Sequence, residues 1–365
     1  MRRAKGSNIM AKIRIGLVGA GNIANVHLES YMKNNEAEIT AICDIDEARL
    51  KKTADRFSIE KRYTNIDDML ANEKLDAADV CVWNCNHAEC TIKALEAGLN
   101  VLCEKPMAYS AAEAEKMLAT AKRVGKLLMV GFVCRFSNTT TVAKDFIDKG
   151  YLGEIYSAKA QYVRRHGAPG GWFCNKELAG GGPGIDIGVH PLDLTRYLMG
   201  NPMPVSVFAV TNDKLGKRDY LKTNVGWSPE NAKPSDPFTV EDFATALIRY
   251  DNGAVVSLEA TYSLNGEDSG KRQLFGTKGG LDVSSDTADS LMFYTTINDY
   301  IADAKIHTGN LKGGGNYFDK EMNHFVDCCL GRCECKAPAE DGVVVMKILD
   351  AIYESAKTGH EVTIK

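Results

Sequence analysis

Along the first third of the chain, short apolar runs alternate with amphipathic stretches of helical period. "KIRIGLVG" reads as a strand, "IANVHLESYMK" as a helix, "EITAICD" as a second strand and "DEARLKKTADRF" as a second helix. The alternation continues through "AADVCVW", "HAECTIKALEAG", "NVLCE" and "SAAEAEKMLATAKRVG", the last opened by Ser110 and Glu113 at capping-box spacing. Strands separated by helices of this length predict an α/β lobe with a parallel, doubly wound sheet.

Beyond about Gly131 the texture changes. Helical "TTVAKDFIDKG" is followed by long alternating runs: "IYSAKAQYV", "EDFATALIRYDNGAVVSLEATYSL" and "KRQLFGTKGGLDV". Asp251-Asn252-Gly253 lies between two of them as a hairpin turn. These runs predict an α+β second domain with a large, mostly antiparallel open sheet. With 365 residues two domains are the default, placed at 11–131 and 132–365. Residues 211–237 are polar and turn-rich, a candidate loop or lid. The closing "VVVMKILDAIYESAKTG" has helical periodicity and a glycine stop.

Composition narrows the partners. Hydrophobic residues at 44%, charged residues at 25% and a formal charge of -4 suit a globular protein, without the basic surplus that nucleic acid or an anionic membrane would attract. A small molecule is the expected partner. The longest apolar run, Leu127 to Val133, is too short to span a bilayer, and the paired arginines near the start precede no apolar segment. A cytoplasmic location is therefore expected. Eleven cysteines scattered through apparent strands and helices fit a reducing compartment. "CCLGRCEC", Cys328 to Cys335, lacks the paired C-x-x-C arms of a zinc site and reads as a helix end with reduced thiols, so no metal is expected.

The first chemical signal is Gly19-x-Gly21-x-x-Ala24, directly after a strand and opening a helix. Glycines tighten such a turn and let backbone approach a pyrophosphate. The helix start, with Asn22 and Ile23 in its first turn, offers unpaired N–H groups. Asp44 closes the second strand about 20 residues further on, where a carboxylate accepts hydrogen bonds from the adenosine ribose. This is the fingerprint of a Rossmann dinucleotide site. No Arg or Lys adjoins Asp44 in sequence to meet a 2'-phosphate, which favours NAD over NADP.

Two further motifs are weak singly. Glu104-Lys105-Pro106 follows a strand, so Lys105 belongs at the ligand crevice of an open sheet; by itself it would be a surface lysine in a proline turn. "GGGPGIDIGVHPLD" sets Asp186 and His190 at i, i+4 spacing, expected to share one helical face behind a glycine loop that passes close to the cofactor. Alone, that aspartate would cap a helix and the histidine would fill a polar gap.

Together the three motifs resemble the glucose-fructose oxidoreductase / inositol dehydrogenase / MocA family, and the likeness runs on to the final "AIYESAKTGHEV". The resemblance implies that Lys105, Asp186 and His190 surround the reacting carbon beside the nicotinamide. It assigns cofactor binding to Gly19, Gly21, Asn22, Ile23, Asp44, Asn84, His87, Glu104 and Lys105. Asn84 and His87 fit the family's Thr-Pro-Asn-x-x-His pattern, with Trp83 in place of its proline. "YVRRHGAPGGWFCNKELAGGGP" is similar to the sugar dehydrogenases of the family, including levoglucosan-dehydrogenase-like members. From it Arg164, His166 and Trp172 are expected to contact substrate.

The implied activity is reversible oxidation of a secondary hydroxyl on a sugar or cyclitol, hydride passing to NAD and the proton to either Lys105 or His190, with Asp186 orienting the histidine or holding the substrate hydroxyl. Two alternatives stay open: an NAD-dependent glycosidase that retains its cofactor through transient redox, and a non-catalytic NAD and sugar sensor. The resemblance also implies a homodimer or homotetramer formed through the open face of the C-terminal sheet.

Overall fold

The computed structural model describes residues 12–222, 228–229, 232–283, 290–309, 311 and 315–365. Six strands build the first sheet: β1 (Ile13–Val18), β2 (Ala37–Cys43), β3 (Lys61–Tyr63), β4 (Ala77–Val80), β5 (Asn100–Glu104) and β6 (Leu128–Gly131). All pair in parallel, in the order β3-β2-β1-β4-β5-β6. Helices α1 (Asn22–Tyr31), α2 (Glu47–Phe57), α3 (Ile66–Asn72), α4 (His87–Glu96) and α5 (Ala111–Val124) make the connections. β4 and β6 are buried along their whole length, as strands covered on both faces must be. Strand order reverses between β1 and β4, which opens a crevice at the carboxyl ends of those strands. The capping box expected at α5 is half formed. Ser110 Oγ accepts the Glu113 N–H at 3.3 Å, but the Glu113 carboxylate takes the N–H of Tyr109, one residue earlier.

The remainder of the chain runs α6 (Asn138–Asp148), β7 (Ile155–Val163), α7 (Lys176–Ala179), α8 (Pro183–Asp186), α9 (Val189–Leu198) and β8 (Pro204–Asn212). It continues with β9 (Phe243–Tyr250), β10 (Val255–Thr261), β11 (Arg272–Gly276), β12 (Gly279–Asp282), β13 (Ser290–Ile297) and β14 (Tyr300–His307). Last come α10 (Tyr317–Cys329), α11 (Ala339–Thr358) and β15 (Val362–Thr363). The nine strands form one sheet, β14-β13-β12-β11-β7-β10-β9-β8-β15. The pairing is antiparallel except between β7 and β10. The expected hairpin turn joins β9 to β10, with Gly253 at φ 83°. Helices α9 and α11 cover one face of this sheet. On the other, Phe208, Val210, Leu247, Tyr294 and Ile301 are exposed, with Phe208 and Leu247 directly opposite each other.

Packing crosses the point where the texture changes. Helix α10 lies against α1, α11 lies against α5, and the Val130 N–H donates to the Ala337 carbonyl at 2.9 Å. A buried ion-pair network ties these parts together. Arg135, just after β6, meets Asp193 of α9 at 2.5 Å and Asp341 of α11 at 2.9 Å, and Arg196 meets the other oxygen of Asp341 at 2.8 Å. The last 50 or so residues therefore finish the cover of the first sheet.

Candidate active site

At the end of β1 the chain turns through Gly19, whose φ of 99° suits only glycine and where a Cβ would collide with the Cys81 carbonyl. Around Gly21, by contrast, there is open space. Helix α1 starts at Asn22 and Ile23 with no side-chain cap and no acidic residue in its first turn, so its leading N–H groups stay available to a phosphate. Ala24 is fully buried beneath the turn. Asp44 accepts the Ala20 N–H at 2.8 Å through one oxygen and the Asp46 N–H at 2.8 Å through the other, which aims the carboxylate across the glycine turn. Each oxygen keeps a lone pair for a ribose hydroxyl. Arg49, absent from the sequence neighbourhood of Asp44, folds back to within 3.4 Å of Asp44 and 3.0 Å of Asp46. Two carboxylates against one guanidinium leave the pocket net negative, which still suits a 2'-hydroxyl and opposes a 2'-phosphate. These residues fit NAD.

Glu104 and Lys105 end β5 and diverge. Glu104 points beneath the sheet, where it is 6% exposed, meets His27 Nε2 at 3.1 Å and accepts the Lys105 N–H. His27 in turn holds Asp79 at 2.8 Å. Glu104 thus belongs to a buried network and not to the open crevice. Asn84 is also enclosed, donating to the Ala179 carbonyl at 2.8 Å, which ties the crevice rim to α7. His87 is buried with Nδ1 against the Pro106 carbonyl at 2.7 Å and Nε2 against that of Val82 at 3.1 Å. Burial lowers its pKa, against the pull of the two carbonyls. In this arrangement it braces the cis Lys105–Pro106 turn from behind.

Lys105 points the other way, into the crevice. Its Nζ donates to the Asp186 carbonyl at 2.9 Å and to Asp186 Oδ1 at 3.2 Å. The second carboxylate oxygen of Asp186 accepts the hydroxyl of Tyr262, a fully buried residue whose pKa burial and Asp186 raise, keeping it a donor. His190 stands nearby. Burial first, then the cations of Lys105, Arg272 and Arg164, hold its pKa well below the ordinary imidazole value, and its Nδ1 faces Cys134 Sγ at 3.7 Å.

The expectation of one helical face for Asp186 and His190 is wrong. The helix breaks at Ile187 and Gly188, because Pro191 has no N–H for the Ile187 carbonyl, which takes the His190 N–H at 3.3 Å instead. Asp186 ends α8, His190 begins α9, and the Asp186 carboxylate engages Lys105 and Tyr262 in place of the histidine. The glycines also have a use in packing the loop. A Cβ at Gly181 would strike the Tyr353 hydroxyl and one at Gly182 the Glu241 carbonyl. Glu241 accepts the N–H groups of Gly182 and Gly184 at 2.9 and 3.2 Å and the Tyr353 hydroxyl at 2.8 Å. The glycine run lets the loop seat on β9 and α11, and this seat fixes where Asp186 stands.

Of the three expected substrate residues, Arg164 is beside the site, its guanidinium 4.7 Å from the Tyr162 ring centre and donating to the Tyr162 hydroxyl at 2.8 Å. His166 turns to Asp268 at 3.4 Å, and Trp172 stacks on Phe173 at 3.9 Å between centroids. Both lie in a loop covered by the described part of 211–237: Arg218 donates to the Arg165 carbonyl and Ser228 to that of Pro169. Residues 223–227, 230 and 231 of that segment lie outside the described residues. Sequence reasoning missed Tyr162, Tyr262 and Arg272. Tyr162 stands 6.4 Å from the His190 ring, and Arg272 sits 6.0 Å from Tyr162. They come from β7, the end of β10 and β11; Tyr162 is the first residue of the "YVRRHGAPGGWFCNKELAGGGP" stretch, and no local motif marks the other two. Among the described residues no helix is long and apolar enough to cross a membrane.

A Rossmann lobe with an uncapped glycine turn and a lysine at the end of β5, packed with a mixed sheet whose helices α8 and α9 bring an aspartate and a histidine to that lysine, defines a dinucleotide-dependent oxidoreductase. The chain belongs to the Gfo/Idh/MocA oxidoreductase family: residues 13–132 match its oxidoreductase, NAD-binding Rossmann-fold domain and residues 140–282 its C-terminal domain. It is 34% identical over 99% of its length to the whole D-glucoside 3-dehydrogenase of Escherichia coli (strain K12). Over 77% of its length it is 28% identical to levoglucosan dehydrogenase of Pseudarthrobacter phenanthrenivorans, covering 76% of that protein. Among solved structures, levoglucosan dehydrogenase in complex with NADH and levoglucosan superposes with a TM-score of 0.84 at 26% identity, over 97% of this chain and 99% of that one.

Proposed function

We propose that the chain is an NAD-dependent dehydrogenase of sugars that oxidises a secondary hydroxyl reversibly, with D-glucosides the first substrates to test. The observation that carries this reading is the Lys105–Asp186 pair at the crevice mouth, 3.2 Å apart, with neutral His190 beside it. Full-length similarity to a D-glucoside 3-dehydrogenase supports the substrate class and the C3 hydroxyl.

NAD, when bound, supplies the hydride acceptor. His190 takes the hydroxyl proton as the carbonyl forms. Its Nδ1 faces Cys134, so Nε2 is the nitrogen for this task, and its depressed pKa keeps it unprotonated at neutral pH. Lys105 donates a hydrogen bond to the same substrate oxygen, and Asp186, held by Tyr262, fixes the ammonium in place. Asp44 and the first turn of α1 hold the ribose and pyrophosphate, while Arg164 and Tyr162 bind the hydroxyls of the ring. The apolar outer face of the second sheet is the surface through which a homodimer or homotetramer forms, and the cytoplasm is the compartment.

The test is a panel of D-glucosides, anhydrosugars, free hexoses and inositols with NAD and NADP separately, followed at reduced-nicotinamide absorbance. Turnover of a glucoside with NAD supports the proposal. Sugar release without net NADH replaces it by the cofactor-retaining glycosidase, and NAD binding without any turnover replaces it by the sensor.

A further inference from the structure

The reading of "CCLGRCEC" as a mere helix end omits a residue that lies just upstream. His324 and Cys328 are four residues apart on α10, so they share a face near its end. Gly331, at φ 69°, turns the chain back, and Cys333 and Cys335 follow at i, i+2 spacing, which in an extended segment sends both side chains to the same side. The reversal brings the two arms together. Cys328 Sγ lies 3.6 Å from Cys333 Sγ, His324 Nε2 lies 3.4 Å from Cys328 Sγ, and His324 Nδ1 lies 3.6 Å from Cys333 Sγ. Cys335 is in hydrogen-bond reach of Cys328.

The ligand atoms of His324, Cys328 and Cys333 lie within 4.8 Å of one another and suit one ion bound through a single ring nitrogen, with Cys335, beside Cys328 and outside that group, closing in as the fourth ligand. Zn–S bonds of about 2.3 Å and Zn–N bonds of about 2.0 Å in a tetrahedron put two sulfurs about 3.8 Å apart and a sulfur and a nitrogen about 3.5 Å apart. Three soft thiolates and one imidazole are a structural zinc set, closed to substrate. The flanking chain is held as such a site requires. The Lys336 carbonyl accepts Arg135 Nη1 at 2.6 Å, the Ala337 carbonyl accepts the Val130 N–H, and the His324 ring stands 5.2 Å from that of Phe136. Cys329, the other helix-end thiol, is excluded: it faces inward toward Asn100.

We propose that His324, Cys328, Cys333 and Cys335 form a structural zinc site that clips the end of α10 to the segment leading into α11. The ion joins the two helices that the end of the chain lays over the first sheet, next to the Arg135 network that also holds α9. The Lys336 N–H, which His324 Nε2 accepts at 2.9 Å, gives way if Nε2 takes the ion. This site is independent of the crevice, so its failure leaves the dehydrogenase reading untouched.

The full-length protein, purified with reductant, is analysed for zinc before and after incubation with zinc chloride and gel filtration, and its cobalt form is recorded by absorption. One zinc per chain, with tetrahedral d–d bands and a sulfur-to-cobalt charge-transfer band, is expected. Cys333→Ser, at an exposed turn position, and His324→Ala should each weaken zinc binding by at least about tenfold, and Cys329→Ser should leave it unchanged. Absence of stoichiometric zinc overturns the proposal, as does undiminished binding by Cys333→Ser. Recovery of Cys328 and Cys333 as a disulfide from cells lysed with alkylating agent overturns it too, making the pair a redox element instead.

Discussion

Glu104 and Lys105 are neighbours in the chain and enter opposite worlds. Glu104 turns under the sheet into a closed network of His27, Asp79, Cys81 and Glu321, while Lys105 turns into the crevice toward Asp186, Tyr262 and His190. Both networks hold carboxylates and a histidine, yet the histidines titrate in opposite directions. His27 is raised well above the ordinary value: burial, the largest single influence, lowers it, but Asp79 and Cys81 together, through charge and hydrogen bonds, outweigh that. His190 is lowered, by burial first and then by three cations. An imidazole fixed between two carboxylates is held as a cation; one ringed by cations is held neutral. Residue type does not assign the role, and the sign of the surrounding charge does.

Lys105→Ala tests the crevice side with the largest effect. Loss of the ammonium should lower kcat by about 10²- to 10⁴-fold while NAD still binds, which fluorescence titration with the reduced cofactor would check. Full turnover in that variant would dissolve the contrast between the two networks. On the buried side, His27→Ala strands two carboxylates without a cation, and urea unfolding should show a loss of about 3–5 kcal/mol. Since the folded-state pKa of His27 is raised, its contribution is fully present below the unfolded value of 6.5 and fades as pH rises through the folded one. The gap between wild type and variant should therefore narrow on the alkaline side; a gap that widens would reverse the assignment.

Tyr262→Phe removes only the hydroxyl that steadies Asp186, an effect of about 1–3 kcal/mol, and should lower kcat more than it raises KM. The buried side offers one more variant, Glu321→Gln. Glu321 is fully buried and its pKa is pushed well above 4.5, by burial first and then by Glu104. Above pH 4.5 the unfolded chain ionises this group while the folded one does not, so stability falls as pH rises toward the folded value. The glutamine variant escapes that loss. It should gain on wild type by about 1.4 kcal/mol for each pH unit across that window, visible as a diverging pair of urea midpoints. In the crevice the matching observable is the acid limb of kcat/KM. Depression of the His190 pKa places that limb below about pH 6.5, and His190→Ala should abolish it.

Much of the site was legible because its parts are local. The glycine turn, Asp44 and Lys105 each sit at the end of a strand whose direction the hydrophobic pattern already implies, and parallel strands all deliver such residues to one edge. Asp186 and His190 were found by spacing, although the helix assumed for them is broken at Gly188, and the glycines before them serve Tyr353 and Glu241. Pro191 was the overlooked signal. Illegible were Tyr262 and Arg272, which come from two strands of the second sheet and look in sequence like any inward or end position. Arg49 reached Asp44 for the same reason: a helix turn brings together what sequence adjacency does not show.

By itself the sequence determined the alternation of elements, the parallel sheet and its glycine turn, and the residue types gathered at the crevice. These depend on period, on glycine's freedom at Gly19 and on strand-end position, all properties of a few consecutive residues. Only the tertiary structure decided which carboxylate faces a cation, which imidazole stays neutral, and whether His324 meets two thiols. Burial and charge at a point are sums over everything packed around it, and that packing draws on segments as distant as Lys105 and Asp186, or Arg135 and Asp341.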